Sequence, residues 1–204
     1  MIPEHRILID EETIRERIEE LSRVIAADLG HRNPVLLGLM MGSFLFLGDL
    51  VRALSRRGVE PKVDLLGVSH YGMSTEPGGD VRIDRDTSID LSGEAVIVVD
   101  DILDSGRSLQ AVLRHLDGRG PAWLRTCVFL NKPSRRTVPV EADYVGFDVP
   151  DEWIIGYGLD FKHEARGLPY IGAVDARELE RHGVLPPDRT EPSDKTAEEE
   201  SELA

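Results

Sequence analysis

Val96 to Leu109 reads VIVVDDILDSGRSL. Ala95 to Val99 is a continuous apolar run of strand length, the pattern of a strand buried on both faces. Asp100 and Asp101 stand at its carboxyl end, and Asp104, Ser105 and Gly106 make a turn that opens a helix with Leu109, Val112, Leu113 and Leu116 at helical spacing. Through Ser105, Gly106, Arg107 and Ser108 the unpaired amides of that helix N-terminus face outward beside hydroxyls, which makes a cradle for a phosphomonoester. The two carboxylates are placed to accept hydrogen bonds from vicinal ribose hydroxyls. The loop lacks both the long glycine loop ending in lysine that holds nucleoside triphosphates and the three spaced glycines that hold dinucleotides. For an isolated DxxDSG the alternative is that the acids cap the helix and Gly106 only relieves the turn; the buried strand before it favours the ligand reading.

Outward from this unit, strands alternate with helices, which predicts an α/β fold with a twisted, mostly parallel sheet flanked by helices. Asp10 to Gly30 reads as an amphipathic helix with Ile14, Ile18, Leu21, Ile25 and Leu29 on one face. Val35 to Met40 is a strand, followed across Gly42 by a helix through Leu47, Leu50, Val51 and Leu54 to Gly58. Val63 to Val68 is a further strand, and Gly72 to Asp80, rich in turn formers, reads as a mobile loop. Val81 to Ile83 and Thr87 to Asp90 are expected to form the arms of a hairpin. A strand follows the central helix from Leu124 to Leu130, and beyond Tyr144 the pieces YVGF and WIIGYG suggest a small lobe over the sheet.

The chain has 204 residues, 41% hydrophobic and 30% charged, enough for one core and one domain. That domain is expected to span residues 1–185, with a tail over 186–204 whose seven acids, two bases and lack of aromatic residues predict disorder. No apolar run reaches membrane-spanning length and the first residues do not resemble a signal peptide, so the expected location is the cytoplasm and no membrane partner is expected. The net charge of −14 disfavours nucleic acid as a partner, but not a small phosphorylated ligand carried with Mg²⁺. The single cysteine, Cys127 in WLRTCVFL, reads as a buried thiol.

Val96 to Leu109 resembles the diphosphoribosyl-binding loop of type I phosphoribosyltransferases. GLMMGSFLFLGDLVR, DLLGVSHYG, LNKPSRR and DYVGFDVPDEWIIGYGLDFKHEARGLPYI resemble, in order, blocks of the hypoxanthine-guanine phosphoribosyltransferases, over roughly Ile7 to Ile171. The resemblance implies the type I phosphoribosyltransferase fold with a hood contributed mainly by about 144–174 and a flexible lid loop. It further implies Mg²⁺-dependent transfer of 5-phosphoribosyl from its diphosphate to a 6-oxopurine base, by a homodimer or homotetramer. Residue by residue, it implies that Asp104 is the general base near purine N7 and that Asp100, Asp101, Ser105, Gly106, Arg107 and Ser108 hold the donor's phosphate and ribose. Met41, Gly42 and Arg166 would meet the pyrophosphate, in a short loop whose peptide bond can be cis. Lys132 would donate to O6 of the purine, Trp153 stack on its ring and the Ile154 backbone read its position 2 edge. Asp160 would touch the metal, and His70 and Tyr71 would begin the lid. A donor-only ammonium at Lys132 would reject adenine, whose 6-amino group offers it no acceptor.

Three positions depart from the family pattern. Position 41 is usually basic, and Met41 lacks that side-chain contact; His70 replaces a serine before the tyrosine; Asp100 replaces the commoner glutamate. A bland reading of Arg166 is an ion pair with Glu164. Two rival functions follow from the same residues: a non-catalytic sensor of purine nucleotides or of the donor, and a xanthine-preferring transferase.

Overall fold

The computed structural model describes residues 1–70 and 81–184. The lid residues Tyr71 and Gly72 to Asp80, and the tail from Pro186, lie outside the described residues. In chain order the elements are β1 (Arg6–Ile9), α1 (Glu11–Leu29), β2 (Val35–Met40), α2 (Phe44–Ser55), β3 (Lys62–His70), β4 (Val81–Arg85), β5 (Ala95–Leu103), α3 (Arg107–Asp117), β6 (Trp123–Asn131), a 3-10 turn (Pro133–Arg135), β7 (Tyr144–Asp148), β8 (Trp153–Ile155), β9 (Ile171–Val174) and α4 (Ala176–Arg181).

Six strands form the main sheet in the order β4-β3-β2-β5-β6-β7, parallel except for the edge pair β3/β4. β2 and β5 are neighbours, with Val35 to Gly38 opposite Val96 to Val99, yet the chain leaves β2 toward β3 and leaves β5 toward β6. The order therefore reverses between them, and in open α/β sheets a crevice opens outside the carboxyl ends of such strands. The short loops after β2 and β5 flank that crevice.

The continuous apolar runs of the central strands serve two cores at once, because successive side chains point to opposite faces. Leu36, Ile97, Val99, Cys127 and Phe129 pack toward α1 and α2, while Leu37, Leu39, Val96, Val98 and Val128 pack toward α3. Phe129 packs edge-on against Phe147 and at a tilt against Phe46 and Tyr157, at centroid distances of 5.6, 5.0 and 4.8 Å, pairs worth about 0.5–1.5 kcal/mol each beyond area burial. α1 is fixed at its start by Asp10, whose carboxylate accepts from the Thr13 amide.

Five expectations change. The hairpin is β3 with β4, Val68 opposite Ile83 and His70 opposite Val81, and Thr87 to Asp90 is not a strand. Instead Thr87 Oγ1 and the Ser88 amide bind the Asp64 carboxylate, which draws this segment onto β3. YVGF belongs to the main sheet as β7, held parallel to β6 because a further exposed strand edge accepts it. The small sheet is β1-β9-β8, so the N-terminal segment Arg6–Ile9 is part of it. β5 runs on to Leu103, so Asp100 and Asp101 lie within the strand, and α4 follows β9 where no helix was foreseen. Among the described residues, no helix is long and apolar enough to cross a membrane.

Candidate active site

The carboxyl end of β5 lines a cavity of about 350 Å³ with Asp100, Asp101, Asp104, Ser105, Gly106 and Ser108, closed on the other side by Leu39, Met40 and Val68. Gly106 is left-handed (φ 86°) and caps α3 without a side-chain hydrogen bond, so the first amides of α3 open toward the turn. Ser105 Oγ lies 3.4 Å from the Arg107 amide, and Arg107 Nε donates to Thr137 Oγ1 at 3.3 Å. The turn rests on residues 136–140. Thr137 N donates to Ser105 O at 3.0 Å, Arg136 donates to the carbonyls of Leu103 and Asp104, and a Cβ on Gly106 would lie 2.5 Å from Val140. Arg136 and Thr137 were not among the candidates drawn from the sequence; the adjacent cations after the apolar run of β6 were the available signal.

Asp100 is buried, and its Oδ1 accepts from the Asp101 amide at 3.0 Å. Burial, then the neighbouring charge of Asp101, hold its carboxyl well above the usual carboxylate range; Asp101 is also raised by burial, with the charge of Arg166 working the other way. A folded state that keeps a proton longer than the unfolded chain is favoured below the ordinary value of 3.8, and that advantage is lost as pH rises through the raised folded value. Asp100→Asn is therefore expected to raise the melting temperature of the free protein at neutral pH by roughly 2–4 °C, about 1 kcal/mol. The gap should narrow toward pH 4 in thermal melts across that range, and a gap constant with pH would show that Asp100 is not buried as a charge.

Across the crevice, the Met40-Met41 peptide bond is cis, and Met41 is exposed while Gly42 is buried. A Cβ on Gly42 would fall 1.5 Å from Asp101 Oδ2, and a Cβ on Gly158 would fall 2.0 Å from Gly42 O. The loop after β2 is thus stacked between the β5 acids and the turn after β8. That turn is tied back to α2 by Tyr157, whose hydroxyl donates to Asp49 Oδ2 at 2.6 Å. It presents Arg166, which donates to Gly158 O at 2.7 Å and pairs with Asp160 Oδ1 at 2.7 Å, and so not with Glu164. Asp160 Oδ2 also accepts from the His163 amide at 2.9 Å.

Lys132, Trp153 and Ile154 do not line the phosphate-side cavity; Lys132 caps the 3-10 turn whose Arg135 pairs with Asp104 Oδ1 at 3.2 Å. Lys132 N donates to Leu103 O at 3.0 Å, and its buried ammonium, pulled below its usual range by desolvation, donates to Glu152 O at 2.7 Å. Trp153 is half-buried, edge-on to Phe161 at 6.5 Å. Ile154 is buried on β8, an edge strand with backbone groups that its ladder leaves unused. His70 ends β3 opposite Val81.

Among the described residues no three acids, histidines or cysteines cluster as a metal cage. An oxygen set of single carboxylates such as Asp160 nevertheless suits Mg²⁺, which retains water and takes substrate phosphate oxygens as further ligands.

The chain matches the phosphoribosyl transferase domain family over residues 8–162. It is 40% identical over 171 residues to the hypoxanthine-guanine phosphoribosyltransferase of Aquifex aeolicus, covering 83% of this chain and 94% of that protein. It is 42% identical over 171 residues to the hypoxanthine phosphoribosyltransferase of Escherichia coli, covering 82% and 94%. A crystal structure of a hypoxanthine-guanine phosphoribosyltransferase from Bacillus anthracis is similar with a TM-score of 0.80 at 37% identity, covering 85% of this chain and 100% of that one.

Proposed function

From the premise that the chain belongs to the phosphoribosyl transferase family, and within it to the hypoxanthine-guanine phosphoribosyltransferases, we propose that it makes IMP and GMP in purine salvage. The donor is 5-phospho-α-D-ribose 1-diphosphate. Purine N9 bonds to C1 of the ribose as the bond from C1 to the pyrophosphate oxygen breaks, and pyrophosphate leaves. The observation that carries this reading is the stack of Asp101, Gly42 and Gly158 at the sheet's switch point, which brings a carboxylate and close-packed glycine backbone from three distant segments together.

The amides and hydroxyls of Ser105, Gly106, Arg107 and Ser108 would take the 5-phosphate at the positive end of α3. Asp100 and Asp101 would accept from the ribose hydroxyls, which gives that buried pair the donors it needs to ionise. The amides at Met41 and Gly42, with Arg166, would meet the pyrophosphate, the guanidinium offering two parallel N–H groups to it. The exposed Met41 contributes backbone only, which predicts weaker hold on pyrophosphate than a basic residue there would give.

Lys132 spends one N–H on Glu152 O and has two more for O6 of the base. Trp153 would cover the ring, and the free edge of β8 at Ile154 would read the position 2 side. Asp104 would take the purine proton as N9 bonds to C1. Asp160 would hold Mg²⁺ through water and pyrophosphate, and the ion would neutralise charge building on the leaving group. The lid, begun by His70 and Tyr71, would exclude water from the sugar cation. We take residues 1–185 as the catalytic domain, working in the cytoplasm as a homodimer or homotetramer, with the acidic tail outside it.

The test is nucleoside monophosphate formation by the purified protein with Mg²⁺, the diphosphate donor and hypoxanthine, guanine, xanthine or adenine offered singly. Turnover of the 6-oxopurines with adenine refused is expected. Binding of donor or nucleotide without any turnover would replace this reading with the sensor, and xanthine as best substrate would reassign the specificity.

A further inference from the structure

Two adjacent arginines converge on Asp104, and neither has a part in the scheme above. In a 3-10 turn residues three apart lie on one side, so Lys132 and Arg135, at the cap and the end of Pro133–Arg135, project together. Lys132 reaches Glu152 O; Arg135 Nε reaches Asp104 Oδ1 at 3.2 Å and Asp151 Oδ1 at 3.8 Å. Arg136 binds the main chain beneath, through the carbonyls of Leu103 and Asp104. The backbone of Asp104 is thus pinned by one arginine and its carboxylate by the other. The Asp104 side chain is 43% exposed, so without that partner it would be free to change rotamer. An ion pair this open adds little to folding, which leaves geometry as its consequence.

We propose that Arg135 is a positioning residue. It holds the Asp104 carboxylate at a set distance from the Asp151–Trp153 segment and so fixes the slot in which the purine meets its base. The proposal rests on the reading of Asp104 as general base. It assigns Arg135 no contact with the substrate.

Steady-state kinetics with hypoxanthine on Arg135→Gln, Arg135→Lys, Asp104→Asn and the combined Asp104→Asn/Arg135→Gln variant test it, with thermal melts of each. Arg135→Gln is expected to lower kcat about 10- to 100-fold, the cost of a misplaced catalytic group, with the donor KM changed less than about twofold. Arg135→Lys should recover part of kcat, keeping the charge but losing the fork. Added to Asp104→Asn, Arg135→Gln should cost nothing further. Unchanged kcat in Arg135→Gln, a loss that appears in donor KM, or a full additional loss in the combined variant would each overturn the proposal. If Arg135→Gln melts far below the parent, Arg135→Lys alone and combined with Asp104→Asn replaces it in the same comparison. Parent-like kcat in Asp104→Asn would sink the general-base reading itself, an outcome distinct from a damaged Asp104→Asn beside an unaffected Arg135→Gln.

Discussion

Asp104→Asn is expected to lower kcat by about 10²- to 10⁴-fold, the range that a positioned acid or base contributes, while the KM values for base and donor stay within a few-fold of the parent. The carboxamide matches the carboxylate in size and still offers Oδ1 to Arg135, which lies 3.2 Å away, so the turn over Asp104 to Gly106 should keep its shape. What is lost is the ability to accept the purine proton. Saturating both substrates and comparing kcat isolates that step from binding. An unchanged kcat would leave Asp104 as a structural member of the loop, where its carbonyl already receives Arg136.

The second large effect is expected from Gly158→Ala. Gly158 has φ 101°, a region that residues with a Cβ rarely adopt, and its new methyl would sit 2.0 Å from Gly42 O. The atom struck is backbone, so the loop after β2 or the turn after β8 must move. Gly42 in turn lies against Asp101, leaving the displacement nowhere to relax except through the crevice. We expect about a 100-fold or greater loss in kcat/KM for the donor, with stability lower by about 1–3 kcal/mol. Gly48→Ala is the control, since a Cβ there meets nothing within 4 Å and the position is inside α2; it should preserve activity and add about 0.5–1 kcal/mol. Donor titration and chemical unfolding of both variants check this, and a parent-like donor KM in Gly158→Ala would mean that the stack is not what shapes the pyrophosphate side.

Local order alone accounts for much of this protein. The apolar run Ala95 to Val99, the acids after it and the turn at Gly106 carry their periodicity and their turn chemistry within a few residues, so the strand, the turn and α3 were legible before any fold was known. The same holds for α1 and α2, whose apolar stripes follow the helical period. The order of those units also sufficed to expect a parallel sheet. Partner choice is another matter. Nothing in Val81 to Asp90 says which strand Val81 to Arg85 will join, because hydrogen-bonding edges are alike along any extended backbone; Asp64, many residues earlier, draws Thr87 and Ser88 away. Likewise Arg6–Ile9 became a strand only because β9 offered it an edge.

The functional side chains divide in the same way. The resemblance to the hypoxanthine-guanine phosphoribosyltransferases named Asp104, Lys132, Trp153, Asp160 and Arg166 as candidates, each by its place in a matching block, and the charge, hydrogen-bonding capacity or aromatic face of each suits the role that the resemblance implies. The tertiary structure alone put Gly158 on Gly42 and Gly42 under Asp101, paired Arg166 with Asp160 instead of Glu164, and turned Arg135 and Arg136 onto Asp104. Those contacts join segments that are far apart in sequence, and their geometry follows from the twist and order of a sheet assembled from all of them, which no local window of the chain contains.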